Sequence, residues 1–165
     1  MSMQLEQVFK KQREQQKAPE EVDLEKEVQI VGFMVGDEEF AVPILSIQEI
    51  IKPIEYTRVP KTPAYVLGVF NLRGSVLPLV DLRMKFGLSK SQENEDTRYM
   101  VIKEDDEIAG FVIDRLTHAT RIKEKNIDPA PETLNDENNL IEGVGKQEDK
   151  LISILNVKAL LKRDF

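Results

Sequence analysis

The stretch Gly68-Val69-Phe70-Asn71-Leu72-Arg73-Gly74-Ser75-Val76-Leu77-Pro78-Leu79-Val80-Asp81-Leu82-Arg83 sets two apolar, β-prone runs on either side of a turn signal. Gly and Ser between such runs predict a hairpin corner, with one arginine at its tip. No obvious partner for Arg73 lies nearby in sequence. The stretch also has an echo. Val76 to Arg83 resembles Leu151 to Lys158, and Tyr65 to Val69 resembles Leu140 to Val144, both at an offset of 75. Asp37 to Ala41 resembles Asp105 to Ala109 at an offset of 68, and an insertion around Lys123 to Asn138 takes up the difference.

Two copies of one unit predict two similar lobes. Before the first hairpin, Val28 to Val35 and Phe40 to Val42 read as strands about a turn at Gly36-Asp37-Glu38. Pro43 to Ile50 carries isoleucines at helical spacing, although Ile50-Ile51-Lys52-Pro53 fits a short strand equally well. Pro63 is placed to begin a one-turn helix. Ser89 to Thr97 is polar and reads as a surface loop and lobe junction. Arg98 to Lys103, Ile108 to Asp114, Ala119 to Ile122, Asn138 to Gly145 and Leu151 to Leu155 are further strands. Ile127 to Thr133 reads as a loop, with Pro129 and Pro131 bracketing its middle, and Val157 to Lys162 is a closing helix. Helices are too few for alternating β-α units. Short antiparallel strands favour two small barrels packed through an apolar interface, with a groove between them. The expected division is a mobile tail over 1–27, lobe 1 at about 28–90 and lobe 2 at about 97–162. Exchange of a strand or helix between the lobes is left open. In the tail, Leu5, Val8 and Phe9 form a short apolar cluster that could dock.

Composition narrows the function. A net charge of −7 is a poor match to a phosphate backbone. With no cysteine there is no disulfide, thiolate nucleophile or zinc–thiolate site, which fits a reducing compartment. No apolar run reaches the ~18 residues of a membrane span and no signal peptide opens the chain, so a cytoplasmic protein is the simplest reading. No catalytic set emerges. His118 stands alone, no glycine-rich phosphate loop is present, and the acidic runs at Glu93 and Glu104 lack calcium-loop spacing. Asp81, at the end of an apolar strand, is the tempting phosphoacceptor. Its repeat counterpart is Asn156 and both precede helix-like residues, so an N-cap accounts for the pair.

Taken together, Asn71-Leu72-Arg73-Gly74, Val76-x-Pro78-x-Val80-Asp81-Leu82-Arg83 and Phe86-Gly87 resemble the CheW-like family of bacterial chemotaxis coupling proteins. Glu38 to Val42, Ile47 to Ile50, Gly110 to Asp114 and Ile127 to Glu132 follow the same pattern in order. The resemblance implies two pseudo-symmetric five-stranded SH3-like barrels and no enzymatic activity, cofactor or metal. It implies an adaptor that bridges chemoreceptor cytoplasmic tips to the histidine kinase CheA, without nucleic acid or membrane insertion, recruited to membrane-associated arrays. Receptor contacts would then fall on Ile47, Glu49, Leu72 and Arg73. Kinase contacts would fall on Asp128, Pro129 and Thr133, where relatives carry an arginine and an aromatic at the positions of Asp128 and Thr133. The coupling domain of a CheV-like protein and a phosphoacceptor using Asp81 are the alternatives. No receiver or ATP-binding pattern accompanies these motifs, so a stand-alone adaptor is expected.

Overall fold

The computed structural model describes residues 26–130 and 140–162. The cluster at Leu5, Val8 and Phe9 and the predicted contact Thr133 lie outside them. The chain is mainly β. Its strands are β1 (Glu27–Val35), β2 (Glu38–Pro43), β3 (Ile47–Ile51), β4 (Val66–Leu72), β5 (Ser75–Asp81), β6 (Arg98–Glu104), β7 (Glu107–Ile113), β8 (Arg115–Lys123), β9 (Ile127–Pro129), β10 (Ile141–Gln147) and β11 (Lys150–Leu155). Two short helices, α1 (Leu82–Lys85) and α2 (Val157–Leu161), follow β5 and β11.

Two sheets result, ordered β8-β1-β2-β11-β10-β9 and β3-β6-β7-β5-β4. They do not follow the division at 28–90 and 97–162. The leading hairpin of the first copy, β1–β2, joins the sheet of the second. The leading hairpin of the second, β6–β7, joins the sheet of the first. Each swapped hairpin is stitched to its host by a parallel pairing, β2 with β11 at Ala41 and Ile154, and β7 with β5 at Gly110 and Leu79. The swap leaves the lobes unable to part without breaking sheet hydrogen bonds.

Side-chain alternation explains why. Along β7, Ala109, Phe111 and Ile113 point into a core shared by both sheets, while Val112 points into the interior of its own barrel. The shared core also takes Phe33, Val35, Phe40, Leu155 and the buried face of α2. Phe70, Leu77, Leu79, Tyr99 and Val101 fill one barrel. Ile30, Ala41, Ile122 and Ile152 fill the other. A fully buried side chain such as Phe33 or Phe111 contributes about 1.5–3 kcal/mol.

The repeat survives with one correction. The 75 offset carries β4–β5–α1 onto β10–β11–α2, including a register shift at Gly68 and again at Gly143. The offset for the leading hairpins is 69 rather than 68, because Val35 pairs Glu38 as Glu104 pairs Glu107. A one-residue slip would have turned every side chain to the wrong face. Three local expectations also change. Only Ile44–Ser46 is helical, as a single 3-10 turn, and β3 claims the rest of the isoleucine-rich segment because Ile47, Ile50 and Ile51 pair with β6. Pro63 begins no helix; its carbonyl accepts from Val66 N–H in a tight turn. Ile127–Pro129, expected as loop, is the short sixth strand, where Thr57 and Val69 form only an isolated bridge in the other barrel.

Candidate functional site

The Asn71-Leu72-Arg73-Gly74 motif builds the tip of the β4–β5 hairpin, and each residue has a physical task. Arg73 and Gly74 both take positive φ, 52° and 86°, which fits a two-residue hairpin turn. The Asn71 carboxamide oxygen accepts from Gly74 N–H at 3.0 Å and holds the turn closed. Leu72 packs toward the barrel interior. Left-handed backbone disfavours a branched or long side chain relative to glycine, so arginine at this position asks for a reason beyond the turn.

Its partner is 24 residues earlier. Arg73 Nη2 donates to Glu49 Oε1 at 2.8 Å and Nε donates to Oε2 at 3.2 Å, a two-pronged ion pair. The pair ties edge strand β3 to the tip of β4–β5. The Arg73 side chain is 76 % exposed, whereas the Glu49 side chain is 22 % exposed. The Arg73 hydrogen bonds hold the Glu49 carboxyl below its ordinary value, and those to Glu49 raise the arginine. The carboxylate therefore orients the cation, and the cation remains open to solvent.

Beside the tip lies an open depression of ≈ 290 Å³. Leu72, Leu77 and Ile108 supply its apolar part, with Gln48, Arg73 and Lys103 around it. Of the four predicted receptor contacts, the structure thus joins Glu49 and Arg73 directly and lines the depression with Leu72 and Arg73. Ile47 is separated from Glu49 by a bulge and packs against the core between the barrels. Sequence reasoning missed Lys103 and Ile108, which reach the depression from the swapped hairpin and carry no local signal of it.

The predicted kinase-facing residues sit on the other sheet. Asp128, on β9, pairs with Lys146 Nζ at 3.1 Å, both well exposed. Pro129 lies opposite Gly143 on β10. Asp81 is no open acceptor. It is fully buried, its Oδ1 accepts from Arg83 N–H and the Ser91 hydroxyl, and its Oδ2 accepts from Ser91 N–H. It caps α1 and fastens the loop after it, as Asn156 caps α2 through Ala159 N–H. Among the described residues no cluster of three or more His, Asp or Glu could hold a metal, and no helix is long and apolar enough to cross a membrane.

Comparison with known proteins agrees with this architecture. The family model described as CheW-like domain matches residues 29–165. The chain is 58 % identical over 165 residues to the Chemotaxis protein CheW of Helicobacter pylori, covering 100 % of both. It is 32 % identical over 136 residues to that of Bacillus subtilis, covering 82 % of this chain and 87 % of the relative. The crystal structure of the scaffolding protein TtCheW from Thermoanaerobacter tengcongensis superimposes with a TM-score of 0.78 at 29 % identity, covering 84 % of this chain and 95 % of that one. Two sheets sharing one core, a repeated hairpin unit and the Asn71-Leu72-Arg73-Gly74 tip together identify the chain as a member of the CheW-like domain family.

Proposed function

We propose that this chain is a non-enzymatic, cytoplasmic adaptor of bacterial chemotaxis that couples chemoreceptor tips to the histidine kinase CheA within membrane-associated arrays. The observation that carries this reading is the Arg73 guanidinium, oriented by Glu49 yet exposed, next to an apolar depression. A helical receptor tip can lay an apolar side chain against Leu72 and a carboxylate or carbonyl against Arg73. Ile47 supports the β3 edge from beneath. Asp128 and Pro129 mark the kinase-facing edge, with Thr133 following in sequence. Array coupling calls for reversible contacts, and an affinity near μM corresponds to about −8 kcal/mol.

The test is a reconstitution of receptor fragment and CheA with and without the protein, reading kinase activity and co-sedimentation. The wild type should bring the two together and change kinase activity. Arg73→Glu should lose the receptor while keeping its fold and the kinase. Unchanged receptor affinity in that variant would remove the assigned role.

A further inference from the structure

The chain passes from one sheet to the other at two equivalent crossings, and they are fastened differently. The Ile44–Ser46 turn carries it from β2 in one sheet to β3 in the other. Asp114 carries it from β7 to β8. Each crossing leads into a strand at the edge of its sheet. The strand registers align the two. Ile47 opposes Ile102 as Leu116 opposes Phe33, so the offset of 69 sets Leu45 against Asp114.

At the second crossing one carboxylate gathers two other elements. Asp114 Oδ2 accepts from Gly36 N–H in the β1–β2 turn at 2.8 Å and from Arg83 Nη1 on α1 at 2.9 Å. The Asp114 backbone N–H donates to the Met34 carbonyl at 3.0 Å. Arg83 Nε donates to the Ser89 carbonyl at 3.0 Å, and a Cβ on Gly36 would lie 3.0 Å from Leu88 Cδ1. The connector after α1 therefore rests on the same turn. Both charged side chains are half-buried, and charge-assisted bonds in such a place hold better than fully exposed ones.

At the first crossing Leu45 stands for Asp114, Asp105 for Gly36 and Lys158 for Arg83. Asp105 keeps the positive φ of Gly36, 55° against 63°. The Leu45 side chain can accept no hydrogen bond and the residue is 96 % exposed. Lys158 is in no ion pair among the described residues. The path of the backbone is repeated and the fastening is not. β3 is also the shorter edge strand, and no residue of it is buried, whereas Ile122 anchors β8.

We propose that the Ile44–Ser46 crossing is a hinge on which β3 lifts from β6, and that Asp114 is the latch that denies the same motion to β8. Such local opening is set by how few buried groups and fixed bonds hold a segment. β3 carries Glu49, so each opening withdraws the carboxylate from Arg73 and frees the guanidinium to turn. The exchanged hairpins are untouched, because the parallel pairings that hold them lie at Ala41 and Gly110. The hinge does not rest on the receptor contact proposed above and is tested without a receptor.

Hydrogen exchange of the full chain, corrected for intrinsic rates, compares the amides of residues 46–51 with those of residues 115–120. In the wild type the first set should open about tenfold more often than the second, the effect of losing hydrogen bonds to a charged group. Asp114→Leu gives the second crossing the residue of the first, and should raise exchange at the start of β8 to the level of β3. Leu45→Asp with Asp105→Gly and Lys158→Arg transfers the whole latch. It should slow exchange along β3 about tenfold, a gain that a folding defect cannot mimic. Equal opening of the two crossings in the wild type would overturn the proposal. So would a folded Asp114→Leu chain whose β8 exchanges as before, or a transferred latch that leaves β3 as fast as it was.

Discussion

The tips of the β4–β5 and β10–β11 hairpins share a backbone and differ in chemistry. Both place a non-glycine residue at φ 52°, and both hairpins carry a register shift and lead into a capped short helix. One tip carries Arg73 in a two-pronged bond to Glu49. The other carries Glu148, which lines a depression together with His118, Arg121, Lys150, Glu27 and Glu39. What the repeat preserves is what both barrels need in order to close. What it varies is what each barrel shows to the outside. A residue present in one tip only is therefore a better candidate for a contact than any strand residue.

The largest effect should fall on what the barrels share. Phe111→Ala removes a fully buried ring from the common core and should cost about 3–5 kcal/mol. Because the leading hairpins are exchanged, thermal or urea unfolding of this variant should remain one transition by every probe. Two separable transitions would show that the barrels are independent and that the swap couples nothing.

A smaller, graded effect should separate the two equivalent glycines. A Cβ on Gly68 would lie 2.1 Å from the Thr57 carbonyl oxygen, and one on Gly143 2.8 Å from that of Asp128. Both contacts are to backbone, which cannot swing aside. Gly68→Ala should cost about 3 kcal/mol and Gly143→Ala about half of that. The reverse order in denaturant melts would mean that β9 is held more rigidly than the Thr57 bridge.

Smaller still are changes at the tips themselves. Arg73→Asn and Glu148→Asn each put a residue tolerant of left-handed backbone into the turn. Melting temperatures should stay within about 2 °C of wild type, while only the first should impair receptor binding. The smallest effect is that of acid on the Arg73–Glu49 pair. Glu49 is held below its ordinary value, so the pair is intact above about pH 4.3 and is lost as pH falls through the lower folded value. An NMR titration of the Glu49 carboxyl should show that downward displacement, and Arg73→Asn should abolish it.

Much of this was legible in the chain because it rests on local pattern. Alternating apolar residues gave the strands, Gly and Asp gave the turns, and the pairing of Asp81 with Asn156 in the repeat pointed to a helix cap. The fold class and the hairpin around Arg73 followed from these. The hairpin exchange is absent from the pattern, because a strand with both faces buried reads the same whichever sheet it joins. The partner of Arg73 was hidden for a similar reason, since opposite charges 24 residues apart leave no periodic trace. The one-residue error in the leading-hairpin offset came from matching Asp37 with Asp105 by identity, where the turn geometry matches Gly36 with Asp105 instead, both at positive φ. Ile127–Pro129 looked like loop because its proline and short length masked a strand formed only against β10.

The central claim is that Arg73 acts through its exposed cation and that Glu49 serves to orient it. Exchanging the two, with Glu49→Arg and Arg73→Glu in one chain, keeps an ion pair between β3 and the tip but moves the cation off the tip. Receptor-fragment affinity of this double variant, measured by calorimetry beside a thermal melt, tests the claim most directly. The account predicts a wild-type melt and a loss of affinity of about tenfold or more. Wild-type affinity in the exchanged variant would contradict it, and would assign the pair to holding the barrel together.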